Sequence, residues 1–422
     1  MKTYKNRLFI MPHTIFIILV AIVLFGYFLE RLLTYLNSTC WSDKLPAELE
    51  GIYDAEKYKK QQDYEKVNHR FGLLTSTVNL VVVLLMLFLG GFAWVDNISA
   101  AISNQPILNA LIFFGILMLA SDLIGTPFEI YDTFVIEERF GFNKTTVKTF
   151  IFDKLKGWLL SALIGGGLLA LIVWFYLNTT TLFWVYAWIV IGLFMIFMAM
   201  FYSSLIVPLF NKQTPLEAGE LRDAIEAFSR KTGFNLDNIF VIDGSKRSSK
   251  ANAYFSGLGK KKRIVLYDTL IKDLATGEIV SVLAHEVGHY KKKHIISGMF
   301  ISVLQTGFTL FILSLFIGNP NLSAALGASH PSFQIGLIAF GMLYSPISLI
   351  LGLGTNVWSR RNEYEADSFA GEYSDAAALI SGLKKLSVKT LSNLTPHPVY
   401  VFFYYSHPTL LQRIHNLASK IK

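Results

Sequence analysis

The 422-residue chain is too apolar for a soluble protein, with 53% hydrophobic, 14% aromatic and only 16% charged residues and a positive mean hydropathy. Its formal net charge is +8. The basic residues are confined to particular segments, so we assign them to membrane topology and predict no nucleic-acid binding. Because Cys40 is the single cysteine, an internal disulfide is excluded.

Seven apolar runs are long enough to cross a bilayer, which takes about 20 residues. They cover residues 8–29, 73–94, 106–129, 157–177, 182–208, 296–317 and 333–355. The first run is too long for the core of a signal peptide, and it ends at Glu30 and Arg31 without a small-residue cleavage site, so we predict a retained anchor. The sequence therefore predicts an α-helical polytopic membrane protein with seven spans.

The loops between these spans alternate in charge. The segments after spans one, three and five and the C-terminal tail are rich in Lys and Arg, whereas the segments after spans two, four and six contain neither. Positively charged loops are retained in the cytosol, so we predict that these four basic segments are cytosolic. The N-terminus then lies on the far side, against the opposing charges of Lys2, Lys5 and Arg7.

The main hydrophilic segment, residues 210–295, lies between spans five and six. Apolar residues three or four apart predict a helix over Leu216–Lys231. Short apolar runs then predict strands at Asn238–Ile242, Ala251–Leu258 and Arg263–Tyr267, with a turn at Gly259–Lys262 that joins the last two as a hairpin. A strand in this position could hold an extended peptide by backbone pairing, or could be scaffold alone.

A His-Glu-x-x-His pattern follows the hairpin, in a segment predicted to be helical with Thr276 as its N-cap and Glu278 in its first turn. Residues i and i+4 lie one above the other on a helix, so His285 and His289 can reach the same metal ion. Glu286 is offset around the axis and can act on a water without being a ligand. Two ordinary histidines on an amphipathic helix are the alternative, but the complete pattern favours a hydrolytic zinc site.

A third metal ligand must come from elsewhere, and the segment after span seven, Ser359–Ala370, supplies three acids. This segment is also predicted to be helical, and Ala366 is small enough to allow close packing against the metal helix. Glu363 and Asp367 share one helical face, whereas Glu365 points away. One of the two could bind the metal while the other orients a histidine, and spacing alone does not choose between them. A merely acidic surface helix is the alternative.

Taken together, these pieces resemble the integral-membrane zinc CAAX prenyl protease 1 family, of the sterile-24 type of gluzincin metallopeptidase, whose members trim prenylated protein C-termini. The matching pieces are Phe134–Lys144, Asn252–Phe255, His285–His289 with its Lys-Lys-Lys-His tail, Arg360–Ala370 and Ser406–Pro408. They occur in the expected order over nearly the whole chain. The resemblance is therefore more specific than the metal motif alone.

The resemblance implies that the seven helices enclose a chamber, with a gluzincin-like metalloprotease domain of helices and a small β-sheet at the cytosolic side. The corresponding domains would be residues 1–209, a membrane region of five spans with cytosolic loops, and residues 210–422, the zinc metalloprotease domain including spans six and seven. The resemblance also implies one Zn²⁺ held by three residues, with Asp367 contacting a ligand and not the ion. The ligands would be His285, His289 and Glu363. Catalysis would fall to Glu286 as the base and His407 as a donor to the tetrahedral intermediate, and the substrate would lie near Asn252, Tyr254 and Arg413.

The implied activity is hydrolysis of peptide bonds near the C-terminus of CAAX-type substrates. The partners would be a peptide or protein substrate, either prenylated or unprenylated, and the lipid bilayer. A quality-control zinc protease without a prenyl requirement is an alternative. A seven-span transporter or receptor with a structural metal is disfavoured, because structural zinc prefers four closed ligands, often cysteines. A bacterial inner membrane and an endoplasmic-reticulum or inner nuclear membrane all fit this interpretation.

Overall fold

The computed structural model describes residues 11–42, 44–234, 239–257 and 263–419. The helices in these residues are α1 (Pro12–Ser38), α2 (Ala55–Phe88), α3 (Gly91–Ile102), α4 (Pro106–Tyr131), α5 (Glu138–Phe140), α6 (Val147–Leu160), α7 (Gly166–Thr179), α8 (Phe183–Leu205), α9 (Val207–Phe210), α10 (Glu220–Thr232), α11 (Asp268–Asp273), α12 (Thr276–Lys291), α13 (His294–Phe316), α14 (Pro320–Ala325), α15 (Phe333–Tyr373), α16 (Ala376–Lys389), α17 (Pro398–Tyr404) and α18 (Leu410–Ala418). The strands are β1 (Gln213–Pro215), β2 (Ile239–Ile242), β3 (Ala253–Ser256) and β4 (Arg263–Tyr267). π-Helical turns at Asp132–Glu137 and Ser161–Gly165 continue α4 into α5 and α6 into α7.

Seven helical segments among the described residues are long and apolar enough to cross a membrane, so the predicted number of spans is confirmed. These segments are Pro12–Ser38, Ala55–Phe88, Pro106–Phe140, Val147–Thr179, Phe183–Phe210, His294–Phe316 and Phe333–Tyr373. Residues 8–10, where the first span is predicted to begin, lie outside the described residues.

The predicted ends of spans two and seven are wrong. The second span is predicted to run to residue 94, but α2 ends at Phe88 because Gly90 adopts the left-handed conformation, with a φ of +66°, before α3 begins. The seventh span and the acid-bearing helix are predicted as separate elements, but they form the single 41-residue helix α15. At about 1.5 Å per residue, this helix is too long for the bilayer alone and extends beyond it into the protease region.

A four-stranded sheet in the order β1-β2-β4-β3 lies beside the metal helix. The predicted hairpin is present, since β3 and β4 pair antiparallel with Tyr254 opposite Val265, while β2 runs parallel to β4. The hairpin turn, residues 259–262, and the predicted strand ends at Asn238 and Leu258 lie outside the described residues. The helix predicted over 216–231 begins only at Glu220, because Leu216–Gly219 form a loop that follows the unpredicted strand β1.

The basic segments of the chain meet at one end of the helices. The Tyr53 hydroxyl, in the segment after span one, donates to the carbonyl of Ser387, 3.0 Å away in the C-terminal region. The end of span three contacts the segment after span five, because Lys250 lies 2.8 Å from the Glu137 carboxylate. These contacts agree with the placement of the four segments on one side of a membrane.

Candidate metal centre and substrate cleft

The metal helix α12 begins differently from the prediction. Ala275 is the N-cap and Thr276 is already the first helical residue, so the assignment of Thr276 as the cap is wrong. Glu278 takes over the capping role, because its carboxylate accepts a hydrogen bond of 2.8 Å from the backbone N–H of Ala275. Burial raises the pKa of Glu278, but hydrogen bonds from Lys385 and Ser381 outweigh burial and hold this pKa below its usual value.

Helices α12 and α15 approach each other closely at the metal motif. A Cβ atom added to Gly288, within the His-Glu-x-x-His pattern, would lie 3.1 Å from both the Cα and the carbonyl oxygen of Ala366. Ala366 is fully buried, and so is Ala370 one turn further along. The predicted close packing is confirmed, and Gly288, which is not a predicted packing residue, is the position on α12 that allows it. This contact places Glu363 of α15 opposite the two histidines of α12.

Three donor atoms converge between these helices. The Nε2 atoms of His285 and His289 lie 3.2 Å apart, and the Glu363 carboxylate lies 3.2 Å from His289 Nε2 and 3.4 Å from His285 Nε2. Glu363 is only 3% exposed, and its Oε2 makes no hydrogen bond to any described residue. Two imidazole nitrogens and a carboxylate oxygen are typical ligands of zinc, and a cation among them would satisfy the orphaned oxygen. The residues present therefore fit a metal ion.

Asp367 and Arg413 lie behind His285. Asp367 is fully buried and its Oδ1 accepts the Nδ1–H of His285 at 2.9 Å, so the Nε2 atom of His285 faces Glu363 and His289. Arg413 donates to both oxygens of Asp367, at 2.6 and 2.9 Å. Burial and Arg413 lower the pKa of His285, but its contacts with the carboxylates of Asp367 and Glu363 outweigh them and raise this pKa to about 9.

A second chain of contacts lies behind His289. Its Nδ1 lies 3.1 Å from Nδ1 of His294, and His294 Nε2 lies 3.2 Å from Oε2 of Glu365. Neither His294 nor Glu365 is predicted as a site residue. The Lys-Lys-Lys-His tail of the motif was the available signal, but the turn that brings His294 back onto His289 is not visible in the pattern.

His407 lies at the exposed side of the centre. Its Nε2 is 3.2 Å from Oε1 of Glu363, its Nδ1 is 2.9 Å from the Ser406 hydroxyl, and its side chain is 62% exposed. Glu286 is half-buried on the metal helix. Arg413, predicted near the substrate, is largely buried against Asp367. His407 and Glu286 therefore have the access to solvent or substrate that Asp367 lacks.

Asn252 and Tyr254 lie at edge strand β3, beside a cavity of about 600 Å³. Asn252 is exposed, and the Tyr254 hydroxyl lies 3.2 Å from that of Ser203 on α8. The other cavity walls include Tyr202, Phe210 and Ile295, and Ile295 directly follows His294 in α13. The strand therefore borders a mostly apolar space between the sheet and the membrane helices.

Comparison with known proteins extends these observations to the whole chain. Residues 34–212 match the family described as CAAX prenyl protease N-terminal, five membrane helices, and residues 215–421 match peptidase family M48. The CAAX prenyl protease 1 homolog of Dictyostelium discoideum is 34% identical over 417 residues, covering 96% of this chain and 97% of that one. The CAAX prenyl protease 1 of Saccharomyces cerevisiae is 35% identical over 412 residues, covering 91% of each chain.

A solved structure shows the same architecture. The crystal structure of S. mikatae Ste24p superposes with a TM-score of 0.91 at 34% sequence identity, covering 96% of this chain and 99% of that one. With the seven membrane-capable helices and the small sheet, this likeness confirms the predicted fold class.

Proposed function

Because the chain belongs to peptidase family M48 and is a multi-pass membrane metalloprotease, we propose that it is a zinc endopeptidase that cuts prenylated CAAX-type substrates near their C-terminus. The observation that supports the zinc site most directly is the convergence of His285, His289 and Glu363, where the buried Oε2 of Glu363 has no hydrogen-bond partner in the part of the chain that the structure describes. These three residues would hold a single ion. The prenyl requirement is carried over from the names of the relatives.

Bound zinc supplies Lewis acidity, which polarises a scissile carbonyl and lowers the pKa of an attacking water. Residues of the chain supply the proton transfer and the stabilisation of the oxyanion. Glu286, half-buried beside the ligands, takes the proton from the water and delivers it to the departing amine. His407 directs Nε2 toward the ligand set from the exposed side and donates to the developing oxyanion, a contact of a kind worth about 3 kcal/mol of barrier.

The substrate would bind as an extended strand. Within the described residues β3 pairs with β4 alone, so its other edge can accept a peptide by backbone pairing, with Asn252 exposed beside it. Tyr254 would contact the substrate from the wall of the neighbouring cavity, and Arg413 would shape the region around His407.

The membrane placement follows from the clustered basic segments. We place that end, with the metal centre, in the cytosol, and place the chain in the endoplasmic-reticulum or inner nuclear membrane because the similar proteins come from eukaryotes. In this arrangement residues 1–209 form the membrane region, whose helices enclose a chamber together with spans six and seven. Residues 210–422 form the protease domain.

Product mapping tests this proposal. The purified protein is given a peptide with a prenylated C-terminal CAAX sequence and, separately, its unprenylated twin, and the products are identified by mass. We expect cleavage after the prenylated cysteine, faster than any cleavage of the twin, and we expect a chelator to abolish both until zinc is restored. Equal cleavage of the two peptides would exclude the prenyl requirement, and activity insensitive to chelation would exclude the zinc mechanism.

Two variants complete this test. Glu286→Gln should retain zinc while turnover falls by about 10²–10⁴-fold, because only the base is lost. Glu372→Gln, an exposed position on the same helix as Glu363, is the matched control and should leave turnover unchanged. Near-normal turnover of Glu286→Gln would show that another group is the base.

A further inference from the structure

His294 is held against the metal helix by the turn that separates α12 from α13. Lys293 adopts the left-handed conformation, with a φ of +61°, between the two helices, and His294 after it contacts His289. The rings of His289 and His294 are 5.2 Å apart and nearly perpendicular, with their Nδ1 atoms 3.1 Å apart. His294 is buried, and its other nitrogen lies 3.2 Å from the Glu365 carboxylate.

If His289 binds a metal through Nε2, this determines where the protons lie in the chain of contacts. A neutral imidazole has one N–H and one lone pair, so His289 can offer the Nε2 lone pair only when its proton is on Nδ1. That proton then lies between two Nδ1 atoms, so His294 Nδ1 must be the acceptor. The proton of His294 is consequently on Nε2, where it is donated to Glu365.

The opposite placement of the protons fails for both His289 and His294. If His294 donated from Nδ1, the proton of His289 would move to Nε2 and occupy the position that faces His285 and Glu363. The lone pair of His294 Nε2 would then face the Glu365 carboxylate, which has no proton to donate when ionised. One arrangement of tautomers therefore satisfies both contacts of His294 and also leaves the Nε2 lone pair of His289 available to a metal.

We propose that His294 and Glu365 are positioning residues that fix the tautomer and ring orientation of His289, as Asp367 does for His285. This inference rests on the proposed metal function and assigns a second support to the site. Each ligand histidine is thus held from behind by a carboxylate, directly for His285 and through a second imidazole for His289.

Zinc affinity, measured by chelator competition, tests the proposal on a readout other than turnover. Glu365 is partly exposed, so Glu365→Leu should fold, and we expect zinc to bind about 10–100-fold more weakly. His294→Leu should weaken zinc at least as much. His294→Asn, whose side-chain oxygen lies near the Nδ1 position, should recover part of the affinity because it can still accept from His289.

Arg361→Ala is the matched control. Arg361 lies 3.3 Å from the other oxygen of Glu365 but is 80% exposed, so its removal leaves the chain from Glu365 to His289 intact and should leave zinc affinity unchanged. Substitution of zinc by Co²⁺ gives an absorption spectrum sensitive to ligand geometry, which should change in Glu365→Leu and not in Arg361→Ala.

The results distinguish failure of the positioning role from failure of the proposed function. If the parent protein binds zinc and Glu365→Leu and His294→Leu bind it equally well, the positioning role is overturned while the proposed function stands. If His294→Asn binds as weakly as His294→Leu, acceptance of the His289 proton is not the cause and the proposal is also overturned. A parent protein that takes up no zinc removes the proposed function and this inference together.

Discussion

Asp367 is bound on two sides, to His285 and to Arg413, and both contacts are buried. We expect Asp367→Leu to remove both carboxylate hydrogen bonds of the largely buried Arg413 guanidinium, which destabilises the protein by about 3–5 kcal/mol. We also expect zinc affinity to fall about 10–100-fold, because His285 loses the acceptor of its Nδ1–H. Thermal unfolding and chelator competition measure the two effects.

A double variant separates these two contributions. Asp367→Leu combined with Arg413→Met removes the uncompensated charge, so most of the lost stability should return. Zinc affinity should remain low, since His285 still lacks its acceptor. Recovery of both properties together would indicate that Asp367 acts on the metal only through the stability of the fold.

His285 makes zinc binding dependent on pH. In the metal-free site the pKa of His285 is about 9, so a proton occupies Nε2, the nitrogen that faces the metal position, at neutral pH. This proton must leave when zinc binds. We therefore expect zinc affinity to rise about tenfold for each pH unit between pH 7 and 9 and to level off above. A titration that shows the same affinity at pH 7 and pH 9 would contradict this.

The same shift has a consequence for folding without metal. A pKa raised above the unfolded value of about 6.5 contributes stability that is fully present below pH 6.5 and is lost as pH rises through about 9. The metal-free protein should therefore become less stable over this interval, while the zinc form should not. Thermal unfolding of the two forms across this range compares them.

At the level of elements, the contact between α12 and α15 depends on Gly288. The Cβ of Gly288→Ala would meet backbone atoms of Ala366 at 3.1 Å, and these cannot move without shifting a helix. We expect a loss of about 1–3 kcal/mol of stability and weaker zinc binding, because Glu363 is carried on the displaced helix. Gly277→Ala, at the start of α12 with no atom near the added Cβ, is the control for helix propensity.

The elements differ in how far sequence could predict them. The seven spans were predicted because a run of about 20 apolar residues is a local property. β1 was missed because Gln213–Pro215 is short and polar and adopts a strand by pairing with β2. The predicted break in α15 came from the change in hydropathy near residue 355, although no helix-breaking residue lies between there and Glu363.

The residues of the metal centre also differ in whether the sequence could predict them. His285, Glu286 and His289 could be selected from their spacing on one helix, and Glu363 and Asp367 from their shared face. His294 could not, because its contact with His289 depends on the left-handed turn at Lys293. The role of Gly288 could not be predicted from the sequence, because it depends on the contact with Ala366 of α15.

At the scale of the whole molecule, the membrane half and the sheet are joined through Arg247, in the segment before β3. Its guanidinium forms paired hydrogen bonds of 2.8 and 2.9 Å with Asp153 on α6. It also donates to the side chain of Asn211 at 3.0 Å and to the carbonyl of Phe210 at 2.9 Å, after span five. One side chain therefore connects three segments distant in sequence.

Arg247→Lys tests this connection with the charge retained. A lysine ammonium cannot reproduce the planar fork that meets both oxygens of Asp153 while also reaching Asn211. Since the pair is partly buried, we expect the variant to lose about 1.5–3 kcal/mol, measured by thermal unfolding of the purified protein. The zinc content should not change, because Arg247 contacts none of the ligands.

The pair of Arg361 and Glu365, one turn apart on α15, gives the matched control, because Arg361 is 80% exposed. Arg361→Lys makes the same chemical change at a surface ion pair, where the contribution is about 0.3–0.5 kcal/mol. A shift in Tm for Arg247→Lys that clearly exceeds the shift for Arg361→Lys indicates that the fork joins the two halves. Equal shifts would mean that the other contacts between the halves hold them together, with Arg247 adding no more than a surface pair.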